Sequence, residues 1–213
     1  EDDDLDVIAT LDPQEDVNLK TMEIAFDRTC QLACSYCNPA FSSTWVKDIR
    51  KFGGYENIKS DARGHFIDDA PYADPFDKDD ENPYVKAFWE WWPELSLELE
   101  ELRITGGEPT MSPDLWKLMD WWKRNPQCEV PFAVNSNLGQ KKELLDALIE
   151  STHSFKDFSL YTSCEGTGLQ AEYIRYGLEW ETWLKNMYRV NKEANVKSLN
   201  VIMTINGLCL FSI

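Results

Sequence analysis

The sequence is short of positive charge. Its 21 Lys and Arg face 38 Asp and Glu, a formal net charge of −17, and no basic residue precedes Lys20. Binding along a phosphate backbone needs a basic face, so nucleic acid is not an expected partner. The acidic balance reads as a self-repelling, soluble surface. No run of about 18 apolar residues occurs, so no membrane-spanning helix is expected. No signal peptide is visible. Histidine is scarce: His65 and His153 stand alone and read as surface or loop residues. Paired C-x2-C units, the usual zinc framework, are missing too, since Cys34 and Cys37 form the only such pair. Six cysteines without a spaced disulfide pattern fit a reducing compartment, and a cytoplasmic protein is expected. There is no internal repeat.

What is present is a core. Hydrophobic residues make up 43% of 213 positions and nine are Trp, which suits one globular domain and excludes a disordered chain. Residues 1–20 are an acidic leader, read as disordered or as the end of an upstream segment. The core is expected over 21–213, with a long insertion at about 38–99.

Thr21–Asp27 alternates as a first strand. In the insertion, Ser42 and Ser43 offer an N-cap for a helix through Trp45, Val46 and Ile49. Tyr84–Trp92 reads as a helix ending at Pro93. Between them, Gly53–Pro83 is polar and acidic, with aromatics at Phe52, Tyr55, Phe66, Tyr72 and Phe76 that fit either anchoring or substrate contact. A second strand is Leu102–Thr105. Ser112 and Pro113 then start a helix with Leu115, Leu118, Met119 and Trp122 on one face. A third strand at Val130–Val134 precedes a helix at about Gln140–Glu150, carrying Leu144, Leu145, Leu148 and Ile149. A fourth strand, Asp157–Thr162, precedes a helical stretch from Gln170 to about Ala194 that Gly177 can break. Leu199–Ile205 is the fifth.

Strand–helix alternation of this kind predicts an α/β fold of parallel strands, a partial (β/α) barrel. Right-handed crossovers bring every strand's C-terminal end to one rim. The polar clusters stand at those ends: the cysteine loop, Gly106-Gly107-Glu108-Pro109, Asn135-Ser136-Asn137, Ser163-Cys164-Glu165, and Thr204 with Asn206. Sites in such folds are built there.

Half of the cysteines crowd into eight residues, Cys30-Gln31-Leu32-Ala33-Cys34-Ser35-Tyr36-Cys37. Three thiols at C-x3-C-x2-C spacing cannot all pair with one another, and a metal or an iron–sulfur cluster explains them. A zinc-stabilised binding module is the alternative. It needs a fourth ligand, for which Cys128, Cys164, Cys209, His65 and His153 are candidates, Cys164 being the best placed.

The spacing, with Tyr36 just before the last cysteine and Gly106-Gly107-Glu108-Pro109 at the end of the next strand, resembles the radical S-adenosylmethionine (SAM) enzymes over about residues 21–207. The resemblance implies a [4Fe–4S] cluster on Cys30, Cys34 and Cys37, with its open iron chelating SAM. It implies reductive cleavage of SAM to methionine and a 5′-deoxyadenosyl radical, which abstracts hydrogen from a substrate, a small molecule or a peptide. An external flavodoxin- or ferredoxin-like protein would donate the electron. By the same resemblance Gly106, Gly107 and Glu108 contact the methionyl group, and Tyr36 lies beside the adenine. Ser163 and Glu165 bind the ribose, and Arg175 pairs with the SAM carboxylate. The residues themselves leave plainer readings open: a tight turn, a packed aromatic, loop polarity, and a surface pair of Arg175 with Glu172. Asn135 and Asn137 either face the site or cap the next helix. The Gly-x-Ile-x-Gly-x-x-Glu pattern that many members carry on the fifth strand is missing, and so is a sixth strand. A truncated SAM-binding protein without turnover is therefore a further alternative, and no auxiliary-cluster (SPASM or twitch) domain is visible.

Overall fold

Apolar residues at every second position of short segments, each followed by an amphipathic helix, build a sheet covered by helices. The structure, a computed structural model, describes residues 6–14, 17–59, 66–67 and 82–211. The rest of the leader and of the insertion, with His65, Tyr72 and Phe76, lies outside the described residues. Strands β1 (Thr21–Ala25), β3 (Glu101–Thr105), β4 (Phe132–Asn135), β5 (Phe158–Ser163) and β7 (Ser198–Ile202) form one sheet in that order, all neighbours parallel. Two-residue strands β2 (Ala33–Cys34) and β6 (Arg175–Tyr176) pair antiparallel beside it. Strands that neighbour in sheet order as they do in sequence, each joined by a helical crossover, wind in one direction. The result is the partial (β/α) barrel expected.

The register explains the core. Ile24, Ile104, Val134, Leu160 and Leu199 lie side by side across the strands, and Met22, Leu102, Phe132 and Phe158 form a second row. The helices that cover these rows are α2 (Pro83–Leu95), α3 (Pro113–Arg124), α4 (Lys142–Thr152) and α6 (Trp180–Glu193); α1 (Ser43–Phe52) and α5 (Gly168–Ile174) flank the cysteine loop. As the helical spacing predicts, Leu115, Leu118, Met119 and Trp122 of α3 are buried; Leu145, Leu148 and Ile149 of α4 are too, with Leu144 half-buried. Trp122 is the centre of an aromatic cluster, with Trp92, Phe132 and Phe155 rings 5.4, 4.8 and 5.1 Å away. The alternate residues of the strands point to the opposite face. There Arg103 stacks over Tyr161 at 4.7 Å, and Thr105 donates to Glu23.

Two local expectations are corrected. Helix α2 does not stop before Pro93 but runs through it to Leu95. The proline sits in the last turn, where it costs one backbone hydrogen bond and the Ser96 N–H still reaches the Trp92 carbonyl. Ser112 holds the N-cap position of α3, but its hydroxyl makes no capping bond; the fixed φ of Pro113 starts the helix. The expected break at Gly177 is real: its φ of +97° separates α5 from α6. Among the described residues no helix is long and apolar enough to cross a membrane.

Removing the central indole tests this core. Trp122→Ala should lower the unfolding free energy by about 3–5 kcal/mol, whereas exposed Tyr188→Ala should change it by less than about 0.5 kcal/mol. Urea denaturation of the two variants checks both.

Candidate active site

β1 delivers the chain to the rim, and the cysteine loop begins shortly beyond its end. The start of α1 holds that loop. Ser42 accepts from the Thr44 and Trp45 N–H groups as N-cap, and its hydroxyl donates to the Leu32 carbonyl at 2.6 Å. The Ser43 and Thr44 hydroxyls both donate to the Cys30 carbonyl, and the Trp45 indole donates to the Cys34 carbonyl at 3.0 Å. Ser42-Ser43-Thr44-Trp45 is thus a clamp on the loop as well as a helix start. Sequence reading found only the cap. On the far side, β2 pairs Cys34 with Arg175, and Ser35 N–H donates to the Ile174 carbonyl.

All three thiols are free, Cys30 and Cys34 buried and Cys37 half-buried. Burial pushes Cys30 up to about 12 and Cys37 up to about 11, and raises Cys34 as well. The thiols also oppose one another's ionisation, Cys34 and Cys37 acting on Cys30. Thiols so buried, each opposing its neighbour's ionisation, need nearby positive charge to ionise. Among the described residues, however, no three His, Cys, Asp or Glu side chains group around a single metal ion. Three free cysteine thiols are nonetheless a donor set whose chemistry a [4Fe–4S] cluster would accept. Cys164 does not join the three: its Sγ donates to the Gly166 carbonyl at 3.0 Å, and the charges it feels are Glu165 and Arg175.

The Gly106-Gly107 turn lies directly against the entry to the cysteine loop. A Cβ on Gly106 would stand 2.6 Å from the Asp27 carbonyl, and one on Gly107 2.4 Å from that of Thr29. The close approach that the glycines permit is to backbone, and Glu108 N–H donates to the Thr29 carbonyl at 2.7 Å. Glu108 itself is 1% exposed. Its Oε1 accepts from the N–H and hydroxyl of Thr110 and from Ser136, and its Oε2 accepts from Asn137 N–H. Burial raises its pKa against the pull of these donors. Only Oε2 keeps accepting capacity to spare.

Asn137 faces the cysteine loop and does not cap α4, whose N-cap is Lys141 with no side-chain cap. Its Oδ1 accepts from Gly139 N–H, turning the chain toward α4, and its Nδ2 reaches Cys30 Sγ at 3.8 Å.

Glu165 and Arg175 meet as a buried ion pair, Nε to Oε2 2.9 Å, with side chains 0% and 6% exposed. Tyr36 donates to the other oxygen at 2.9 Å, where Thr204 N–H also arrives. Burial works against the Arg175 charge, yet Cys34, Tyr36 and Glu165 together raise its pKa. Burial likewise lifts Tyr36 above the ordinary phenol range. Arg175 is therefore not paired with Glu172, whose carboxylate accepts from Trp180 N–H instead. The structure thus brings Cys30, Cys34, Cys37, Tyr36, Gly106, Gly107, Glu108, Glu165 and Arg175 to one rim. Ser163 ends β5 there, half-buried. In the insertion, Tyr55 and Phe66 pack edge-on against Trp45, so these two aromatics anchor the loop. His153 is an exposed residue closing α4.

No protein-family profile and no curated protein matches the chain. Solved structures do. SuiB of Streptococcus suis, bound to S-adenosylmethionine, is 15% identical with a TM-score of 0.52, covering 89% of this chain and 34% of SuiB. SuiB alone gives 0.54 at 14% identity. Histidine-tagged anSMEcpe with bound AdoMet gives 0.50 at 15% identity, over 87% of this chain and 42% of anSMEcpe. The likeness is one of fold. This chain spans about a third of SuiB's length.

Two tests follow from the buried carboxylates. Glu108→Ala leaves its donors unpaired and should destabilise the metal-free chain by about 2–3 kcal/mol; a purely ligand-binding Glu108 would leave thermal unfolding unchanged. Arg175→Ala should cost about 3–5 kcal/mol, and the Arg175→Ala/Glu165→Ala double variant less than the sum of the singles. A third concerns pH. The raised thiols favour the metal-free fold below their ordinary value of 9.0, and that contribution is lost as pH rises through about 11 to about 12. Alkylation of Cys30 and Cys37 by iodoacetamide should keep accelerating above pH 9.0, where an unperturbed thiol levels off.

Proposed function

We propose that this chain is the core of a radical SAM enzyme, which reductively cleaves S-adenosylmethionine to methionine and a 5′-deoxyadenosyl radical. The observation that carries the reading is the loop with three free thiols that act on one another's ionisation, on the C-terminal rim of a partial barrel whose fold resembles that of SAM-bound SuiB. Cys30, Cys34 and Cys37 are the ligands of a [4Fe–4S] cluster, which supplies one electron and an open iron when bound. Loading releases protons from the thiols, so it is favoured as pH rises.

The chain's own residues do the rest. The α1 clamp and the β2–β6 pair fix the positions of the three sulfurs, so that little order is left to impose on binding. Gly106, Gly107 and Glu108 offer backbone and one free carboxylate lone pair to the methionyl ammonium. Tyr36, Ser163, Glu165 and Arg175 are the proposed contacts of the adenosyl and carboxylate groups. Since Arg175 and Glu165 already hold each other, they act as a preset pair whose geometry does not need to form on binding. SuiB has been solved bound to a precursor peptide, and we assign a peptide as the substrate class here. A flavodoxin- or ferredoxin-like protein of a reducing, cytoplasmic compartment is the proposed electron donor.

Anaerobic reconstitution tests the reading. The protein should turn brown, hold about four irons per chain, and release 5′-deoxyadenosine with dithionite and SAM. Cys30→Ala, Cys34→Ala and Cys37→Ala should each lose the iron, while Cys164→Ala keeps it. A colourless protein with one tightly held zinc, lost on Cys164→Ala, would overturn the proposal.

A further inference from the structure

On a chain of net charge −17, one cleft is lined by cations without a single acidic residue. It lies between the start of α4 and the middle of α6 and has a volume of about 390 Å³; Lys141, Lys142, Lys185 and Arg189 line it, with buried Gln140 and Asn186. Asp146 and Glu193 neutralise part of this charge from outside the cleft, through pairs with Lys142 and Arg189. Lys141 and Lys185 have no ion-pair partner among the described residues. Lys141 is also the N-cap of α4, where no side chain caps the helix and Glu143 in the first turn offsets part of the positive helix end.

A chain of contacts leads from the cleft toward the cysteine loop. Asn186 Nδ2 donates to the carbonyls of Leu138 and Gln140 at 2.9 and 3.2 Å. Leu138 follows Asn137, whose Nδ2 meets Cys30 Sγ at 3.8 Å. Two hydrogen bonds and one peptide unit therefore separate a residue lining the cleft from a cluster ligand. Leu138 has a φ of +50°, the only non-glycine in the left-handed region among the described residues. That conformation is costly for a branched side chain. It is held here because Ser136 Oγ takes the Leu138 N–H and Asn186 takes its carbonyl.

We propose that this cleft is the docking site of an acidic, low-potential one-electron carrier protein. The inference rests on the function proposed above, which requires an external electron. Electron-transfer complexes are small, transient and steered by charge rather than by apolar area, and a compact cationic cleft on an otherwise acidic surface meets that description. In the step it serves, the anionic hydroquinone of a carrier's flavin gives up one electron and becomes the neutral semiquinone. The cluster on this chain gains that electron, and no proton moves.

The test uses the anaerobically reconstituted chain with two probes, an FMN-loaded flavodoxin and a [2Fe–2S] ferredoxin. Binding is measured by calorimetry at low salt and at about 0.3 M salt. Lys141→Glu/Lys185→Glu should weaken binding by roughly tenfold and flatten its salt dependence. Lys51→Glu/Lys59→Glu, with the same change in net charge at distant exposed lysines, should change it by less than about twofold. Bleaching of the cluster by flavodoxin hydroquinone should slow in parallel, while dithionite bleaches all variants alike. Wild-type affinity in the Lys141/Lys185 variant, or no binding of either carrier to the wild type, overturns the proposal. Failure of the enzymatic reading looks different, since dithionite would then find no cluster to bleach.

Discussion

The site depends on one buried ion pair. Glu165 and Arg175 are both removed from water, and charges so placed are tolerated only when they are paired and their remaining valences filled. Tyr36 and Thr204 N–H complete the carboxylate, and the backbone of Arg175 pairs with Cys34. The pair therefore ties the cysteine loop, the end of β5, the β6 strip and the chain beyond β7 into one unit. Moving any of the four leaves a buried charge uncompensated, which gives the loop a defined geometry.

Glu108 performs the same task on the opposite side of the loop. Its donors come from the turn after β3 and the turn after β4, and the two glycines before it let those turns sit on the backbone of Asp27–Thr29. Two buried carboxylates thus brace the three thiols. The thiols oppose one another's ionisation and stay protonated, and the loop is held by its surroundings rather than by the sulfurs. Here hydroxyls, an indole and two carboxylates hold its backbone, while Cys30 Sγ accepts only long contacts from Leu32 N–H and Asn137 Nδ2.

The outer surface is organised differently. Ion pairs on α4 and α6 are exposed and individually weak, but the cations around Lys141 and Lys185 stand close together on an acidic chain. Under the docking proposed above, their effect would be on encounter and orientation of a partner rather than on stability.

The alternation of apolar residues, the helical stripe of Leu115, Leu118, Met119 and Trp122, and the break at Gly177 are local patterns, and they were enough to place the parallel strands and their shared rim, whereas the strand order rests on the pairing. The C-x3-C-x2-C spacing is likewise a feature of the sequence alone, because residues this close along the chain need no fold to bring them together. Pro93 was misjudged because a proline in a last turn costs little, and sequence alone does not show where a helix's last turn falls. The partners of Glu165, Arg175 and Glu108 are decided only by the tertiary structure. Tyr36 lies 129 residues from Glu165, and Ser136 lies 28 from Glu108; a residue's pattern with its neighbours carries no information about contacts at that range. Whether a polar residue on the rim is open to a ligand or already held by the protein is a property of packing, and the sequence has no local feature that records it.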